Sequence, residues 1–364
     1  MDFMEYIDGE NFTLDIYQNV SYMYPTEMFE YIDFAPFDQA AAVVSFVLFA
    51  AIISLNGLVI YVLLFKKQKK SRLFYFVLQL AIADFLVGVF CVLGDGITSA
   101  MYGEYHGGDF VCRMWRFSKT MTIIASNNIL IGMSVDRFLA IKYPLNVVRL
   151  GMCRFLDKAM VFGAWFISLV VASFYIPYSK GVNANASATN PMDQIGECKI
   201  EFPEHWWKPY VLTVAMIVYI LPTIGITVCY VGICVIVWMK WRSRLKLSEI
   251  STNASSVKLQ GDKSLNKGLL PKAKVKSIKM TLVVCLAFFI SWTPYFVTIL
   301  MSSNDPNSVD PRYFVILGSL YPLNSACNPL IFILFNHKLF SCRQKDQQSG
   351  QSYEGISSTQ VTTT

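Results

Sequence analysis

The sequence predicts an all-α membrane protein: seven spanning helices in one bundle, followed by a short amphipathic helix on the membrane surface. Three observations carry this. The 364 residues are 54% hydrophobic and 15% charged, whereas soluble domains carry about 25% charge; the mean hydropathy is +0.43. Seven segments are long and apolar enough to cross a bilayer, near 40–65, 73–101, 112–141, 157–177, 209–239, 273–301 and 313–335. Lys and Arg collect in the connections 66–72, 142–158 and 240–279, while 1–39 and 102–109 have none. The net charge of +6 therefore marks membrane sidedness. No nucleic-acid motif accompanies it, and three scattered His and nine scattered Cys form no metal-ligand cluster.

Residues 1–39 hold nine Asp/Glu and no basic residue. With neither a basic n-region nor an apolar h-region, this tail is not a cleaved signal peptide. Asn11 and Asn19 each open an N-x-S/T acceptor, which gives an extracellular, acidic, glycosylated tail. Tyr6, Tyr17, Tyr22 and Tyr31 near acids are either sulfation sites or plain solvated tyrosines. Span one carries Asn56 and is followed at once by Lys66, Lys67, Lys69, Lys70 and Arg72. By the positive-inside rule that loop is cytoplasmic and the N-terminus is outside, as for a multi-pass plasma-membrane protein.

Span two holds Asp84 and Asp95, eleven residues apart and on one face. Span three, 112–141, is about 45 Å long, the thickness of a bilayer with its headgroups. Lys119, Ser126 and Arg137 fall within about 20° of one another on it. A polar stripe is expensive in lipid, so it faces other helices; a core helix of a soluble protein is the competing reading, which six further spans disfavour. If Asp84 and Ser126 are level, Lys119 lies about 10 Å above them and Asp95 about 16 Å. Asp95 and Lys119 then point inward in the outer third. They either touch or straddle a ligand, as the polar floor of a binding site or as a permanent salt bridge; headgroup water is a further partner for Asp95. A lone buried Asp84 costs several kcal/mol unless paired or neutralised. Oxygen ligands from Ser126, Asn324 and Asn328 at its depth predict an allosteric sodium ion and no other cofactor or metal; a protonated or water-linked Asp84 is the alternative.

Span four contains Trp165, and the loop that follows holds Cys198 and the acceptor Asn185. Cys112 and Cys198 are the two cysteines placed at the outer surface, which reads as one disulfide. Span five carries Pro222 and Tyr230. The loop 240–279 has eleven Lys/Arg against Glu249 and Asp262, with a disordered middle. In span six, Pro294 removes a backbone hydrogen bond and kinks the helix. Span seven contains Asn324, Asn328 and Pro329. The receptor domain thus covers 40–335. Residues 336–345 form an amphipathic surface helix whose apolar side, Leu339 and Phe340, contacts membrane lipid; Cys342 is palmitoylated or an inert thiol. The Ser/Thr-rich tail, 346–364, is disordered and able to accept phosphates.

Asn56, Leu80-Ala-x-x-Asp84, Asp136-Arg137-Phe138, Trp165, Pro222, Phe288-x-x-x-Trp292-x-Pro294 and Asn328-Pro329-x-x-Phe332 occur in order and at matching depths. Over about 40–345 the chain resembles the rhodopsin-like G protein-coupled receptors. A narrower pattern comprises Gly108-Asp109-x-x-Cys112-Arg113, Asp95-Gly96, Lys119, Lys276-Ser-Ile-Lys279-Met280-Thr281 and Trp292-Thr-Pro294-Tyr295. It resembles gonadotropin-releasing hormone and adipokinetic hormone receptors; vasopressin/oxytocin and cardioactive-peptide receptors share the span-six pattern and form the alternative.

The resemblance implies a peptide site built from Asp95, Lys119, Arg116, Trp292, Tyr295 and Phe296. It implies an activation set of Asp136, Arg137, Tyr230, Pro294, Pro329 and Phe332, with a heterotrimeric G protein as partner, arrestin on the tail, and phospholipase C and calcium as output. Phe332 stands where the family has tyrosine. The basic inner end of span six has no carboxylate for Arg137, so its resting restraint is expected from Asp136 and packing. A transporter would show inverted repeats and paired broken helices, which are not visible. An intramembrane protease needs acids on two helices, whereas Asp84 and Asp95 share one. A retinal pigment needs a lysine in 313–335, which has none. An amine receptor, by resemblance, has a carboxylate where Lys119 stands. The chain is not read as an enzyme.

Overall fold

The computed structural model describes residues 35–65, 72–101, 104–143, 152–182, 196–201, 203–253, 272–303, 309, 317–318 and 320–340. Asn11, Asn19, Asn185, Cys342 and the tail 346–364 lie outside them. The spanning helices are α1 (Ala35–Phe65), α2 (Arg72–Ala100), α3 (Gly108–Lys142), α4 (Met152–Ser173), α5 (Trp207–Ala215 continuing through Asn253), α6 (Lys272–Ser302) and α7 (Leu323–Phe335). A four-residue helix α8 (His337–Phe340) follows. Five of the described helices are long and apolar enough to cross a membrane by length and composition: α1, α2, α4 with its extension to Tyr178, α5 and α6. The long α3 carries the polar stripe, and α7 is described over its last thirteen residues, with 317, 318 and 320 helical before it.

The helices pack around α3, which contacts α2, α4 and α5 along its length. Phe76, Ile129, Leu130, Met133, Phe288 and Phe332 fill the centre and are almost fully buried. Buried polar side chains tie helix pairs together. Asn56 donates to the carbonyls of Ile52 and Ser325, both at 3.0 Å, and ties α1 to α7. Trp165 donates to Gln79 at 3.3 Å and ties α4 to α2.

Four features depart from the sequence reading. Two helices contain a π-turn, Gly88–Val92 in α2 and Met216–Ile220 in α5; one inserted residue leaves no trace in a hydropathy profile. The α5 helix runs to Asn253, well past the end of its apolar stretch, because the Lys-, Arg- and Leu-rich segment beyond 239 keeps helix propensity after hydropathy is lost. The loop after α4 contains an antiparallel hairpin, β1 (Ser179–Val182) and β2 (Glu197–Ile200), with Gly181 opposite Cys198. Leu339 and Phe340 pack on the bundle core, and Phe340 meets Phe332 edge-on at 6.0 Å. Their apolar side thus covers protein instead of facing only lipid.

The hairpin caps one end of the bundle, called here the hairpin end; the other is the Arg137 end. Cys112 and Cys198 form the expected disulfide. Gly108 takes φ +73° as α3 begins, and a side chain on Gly181 would lie 2.7 Å from the Gly108 backbone. This close approach lets Asp109 Oδ1 accept from the Gly181 N–H at 3.0 Å. Arg113 donates to Asp109 at 2.7 Å and to the Ile176 carbonyl at 2.7 Å. Together these donors hold the Asp109 carboxyl below its ordinary range, Arg113 contributing most.

Candidate ligand cavity and signalling cluster

A cavity of about 80 Å³ opens beneath the hairpin, lined among others by Arg116, Lys119, Trp292, Tyr295, Phe296 and Tyr321. Five of these are sequence-predicted ligand contacts; Tyr321 is an addition. Asp95, the sixth prediction, lies just behind the wall. It forms an ion pair with Lys119, so the two touch and do not straddle a gap. Tyr321 donates to the other Asp95 oxygen at 3.1 Å, and Cys91 Sγ touches both Tyr321 and Asp95. The carboxylate is 8% exposed, a depth at which a charge requires partners. Lys119 also sits 5.4 Å above the Trp115 ring, and Trp115 donates at 2.8 Å to the Phe90 carbonyl inside the α2 π-turn.

The aromatic wall is continuous. Tyr321 stacks on Trp292 with ring centroids 5.0 Å apart. Trp292 meets Phe296 at 5.6 Å, and Phe296 stacks on Tyr219 at 5.2 Å. Trp292 Nε1 is buried with no hydrogen-bond acceptor. Arg116, 2% exposed, donates to the Cys198 carbonyl, so the disulfide hairpin and the cavity share a cation. Beyond the Arg116 side, Tyr210 donates to the Tyr175 hydroxyl at 2.9 Å. Tyr321 lies in the turn before α7 and escaped the sequence reading because a tyrosine in an apolar segment carries no charge signal.

Deeper, Asp84 is fully buried and accepts three hydrogen bonds: Ser126 at 2.7 Å, Ser325 at 2.8 Å and Asn328 at 2.8 Å. Ser126 and Asn328 were expected. Ser325 takes the contact that the sequence reading gave to Asn324, because the helix rotates about 100° per residue and α7 turns Ser325 toward α2. Asn324 lines a neighbouring cavity of about 10 Å³ with Trp292 and Ser126. A second cavity of the same size touches Asp84, Asn56, Asn328 and Phe332. Each has room for about one water. Asn324 Oδ1 and Asn328 Oδ1 are buried without hydrogen-bond partners.

At the Arg137 end, Arg137 pairs with Asp136 and donates to Ser277 Oγ on α6 at 2.7 Å. The expected restraint by Asp136 and packing is therefore extended: a hydroxyl on α6 replaces the missing carboxylate. Arg72 pairs with Asp136 and reaches Asp157 on α4 at 2.6 and 2.7 Å. Two arginines and two carboxylates thus join α2, α3 and α4. Arg72 counted in the sequence only as a topology signal, and Asp157 only as a span boundary. Tyr230 is buried, 8% exposed, beside Thr281 and Cys285 of α6. Phe332 is 1% exposed and packs edge-on against Phe74 at 5.8 Å. Pro294 and Pro329 lie inside α6 and α7.

The family model for the 7 transmembrane receptor (rhodopsin family) matches residues 55–332. The chain belongs to that family.

Among curated relatives, this receptor is 32% identical over 330 residues to the neuropeptide S receptor of Mus musculus, covering 88% of this chain and 83% of the relative. It is 32% identical over 309 residues to the oxytocin receptor of Ovis aries, covering 82% and 76%. It is 30% identical over 300 residues to the mesotocin receptor of Rhinella marina, covering 82% and 74%. These relatives belong to the peptide-receptor branch, and receptors of this family are not enzymes. They correct the narrower reading: the gonadotropin-releasing hormone/adipokinetic hormone assignment is not supported, and the oxytocin-type alternative fits better. The physical reason lies in the pair that suggested it. Asp95 and Lys119 satisfy one another within the bundle, so their presence alone does not specify a ligand.

Proposed function

We propose that this receptor binds an extracellular peptide of the neuropeptide S or oxytocin/vasopressin type in the cavity beneath the hairpin, and answers by activating a heterotrimeric G protein at the Arg137 end. The observation that carries the reading is the chain Lys119–Asp95–Tyr321–Trp292. A peptide group that competes for Lys119, or for Arg116 beside it, changes what Asp95 accepts. That alters the hydrogen bond of Tyr321 and the stack on Trp292. Trp292 and Pro294 share one turn of α6, so the change passes to the helix whose far end holds Arg137 through Ser277. An outward swing of that end frees Arg137 and opens a G-protein pocket. This is a population shift, driven by whatever affinity the peptide gains in the open arrangement.

The hairpin end is extracellular in this reading, which puts glycans on Asn11, Asn19 and Asn185 outside. The tail, with arrestin as its partner, and a palmitoylated Cys342 beside membrane lipid are then on the cytoplasmic side, with the plasma membrane as the location. We assign a sodium ion to Asp84, Ser126, Asn324 and Asn328. The donor set suits a hard cation: one carboxylate, a hydroxyl able to turn its lone pairs, and two buried amide oxygens lacking donors. When bound, the ion supplies charge neutralisation for Asp84.

The test is a calcium response in cells expressing the chain, challenged with secreted peptides that include neuropeptide S-, oxytocin/vasopressin-, cardioactive- and adipokinetic-type members. Responses to the first two groups are expected. A response confined to the adipokinetic or gonadotropin-releasing type would overturn the ligand class. Sensitivity to no peptide, with signalling by another extracellular ligand, would overturn the peptide reading.

A further inference from the structure

Three prolines stand in the interior of spanning helices: Pro222 in α5, Pro294 in α6 and Pro329 in α7. A proline at position i has no N–H to give the carbonyl at i−4, and a buried carbonyl without a donor is costly. The three helices meet this cost differently. For Pro329 the carbonyl is that of Ser325, and Asn56 Nδ2 on α1 donates to it at 3.0 Å. For Pro222 the π-turn sets a five-residue step, with the Leu221 N–H giving to the Met216 carbonyl; the proline ends that run with no N–H of its own, and Asn127 Nδ2 on α3 donates to the π-turn carbonyl of Val218 at 3.0 Å. Asn127 is 2% exposed, so bulk solvent does not compete for its amide, although it borders the small cavity beside Asn324. For Pro294 the carbonyl is that of Ile290, whose side chain lies on the outer surface at 72% exposure. Among the described residues no side chain donates to it.

We propose that Asn127 is a positioning residue that supplies the donor Pro222 lacks and clamps α5 to α3 at the π-turn. With Asn56 doing the same for Pro329, the break at Pro294 is left as the uncompensated one. The bundle is thereby fixed at two proline sites and free to bend at the third, in the helix that carries both Trp292 and Ser277. The signalling consequence rests on the receptor function proposed above; the clamp itself does not.

A double-mutant cycle tests the pairing. Asn127→Leu removes the donor at similar volume, and Pro222→Ala restores the backbone N–H. Thermal stability of the full-length receptor in nanodiscs, surface level, and ligand-independent G protein activation are measured for both single variants and the double. Asn127→Leu is expected to lower the melting temperature by several degrees and to raise basal signalling per surface receptor at least threefold. In the Pro222→Ala background the same substitution is expected to change melting temperature by less than half as much and basal signalling by less than twofold. If Asn127→Leu does not reach the surface, restoration of surface level in the double variant supports the clamp. Equal effects in both backgrounds, failure of the double variant to recover, or no effect of Asn127→Leu would overturn it. Coupling in stability with no G protein response from any variant would uphold the clamp and remove the receptor reading.

Discussion

The hydroxyl of Tyr321 donates to Asp95 at 3.1 Å while the same ring stacks on Trp292. A single side chain therefore touches both the charged pair at the cavity wall and the aromatic residue two positions before Pro294 in α6. A hydrogen bond to a charged acceptor contributes about 1.5–3 kcal/mol. Tyr321→Phe keeps the stack and removes that bond. We expect peptide potency to fall about tenfold, about 1.4 kcal/mol, at unchanged surface level. Potency within twofold of the parent would take Tyr321 out of the relay.

The Asp95–Lys119 pair separates structure from binding by charge exchange. Asp95→Lys with Lys119→Asp keeps an ion pair across α2 and α3, so surface expression should recover relative to either single variant. Tyr321 can no longer donate to position 95, and the cation lining the cavity is displaced. Potency should remain at least about tenfold reduced. A swapped receptor with full potency would make the pair a brace between the two helices.

Ser277 gives Arg137 its described tie to α6. Ser277→Ala leaves the Asp136 and Arg72 pairs in place and removes that tie alone. Basal signalling per surface receptor should rise two- to fivefold, read as ligand-independent inositol phosphate accumulation. An unchanged basal level would place the resting restraint in Asp136 and packing, as the sequence alone suggested.

The Cys112–Cys198 bridge holds β2 above the cavity, and the Cys198 carbonyl receives Arg116. Cys198→Ser should abolish surface delivery or the peptide response, measured by surface labelling and calcium release. Normal binding and signalling would show that Asp109, Arg113 and the Gly181 contact hold the hairpin unaided.

Sodium, compared with a larger monovalent cation at equal ionic strength, should lower agonist affinity severalfold, and Asp84→Asn should erase the difference. Equal affinity in the two salts would leave Asp84 satisfied by Ser126, Ser325 and Asn328 alone.

The sequence by itself determined the spans, the polar stripe of α3, the disulfide and the charged residues of the candidate cavity and of the Arg137 cluster. These are local quantities: hydropathy is a property of a segment, and an ionisable group inside a span is conspicuous because its transfer into lipid is expensive. Tertiary structure alone decided which donor meets which acceptor. Ser325 instead of Asn324 reaches Asp84, although they are neighbours in sequence, because one residue is a rotation of about 100° and packing sets the helix phase. The same reason hid Tyr321, Asn127 and Ser277. Each is a neutral polar residue whose role depends on an atom more than 90 positions away. The π-turns shift that phase within a helix without altering composition, and the hairpin pairs segments separated by a long loop. Arg72 and Asp157 were legible as charges; only the crossing of α2, α3 and α4 made them partners.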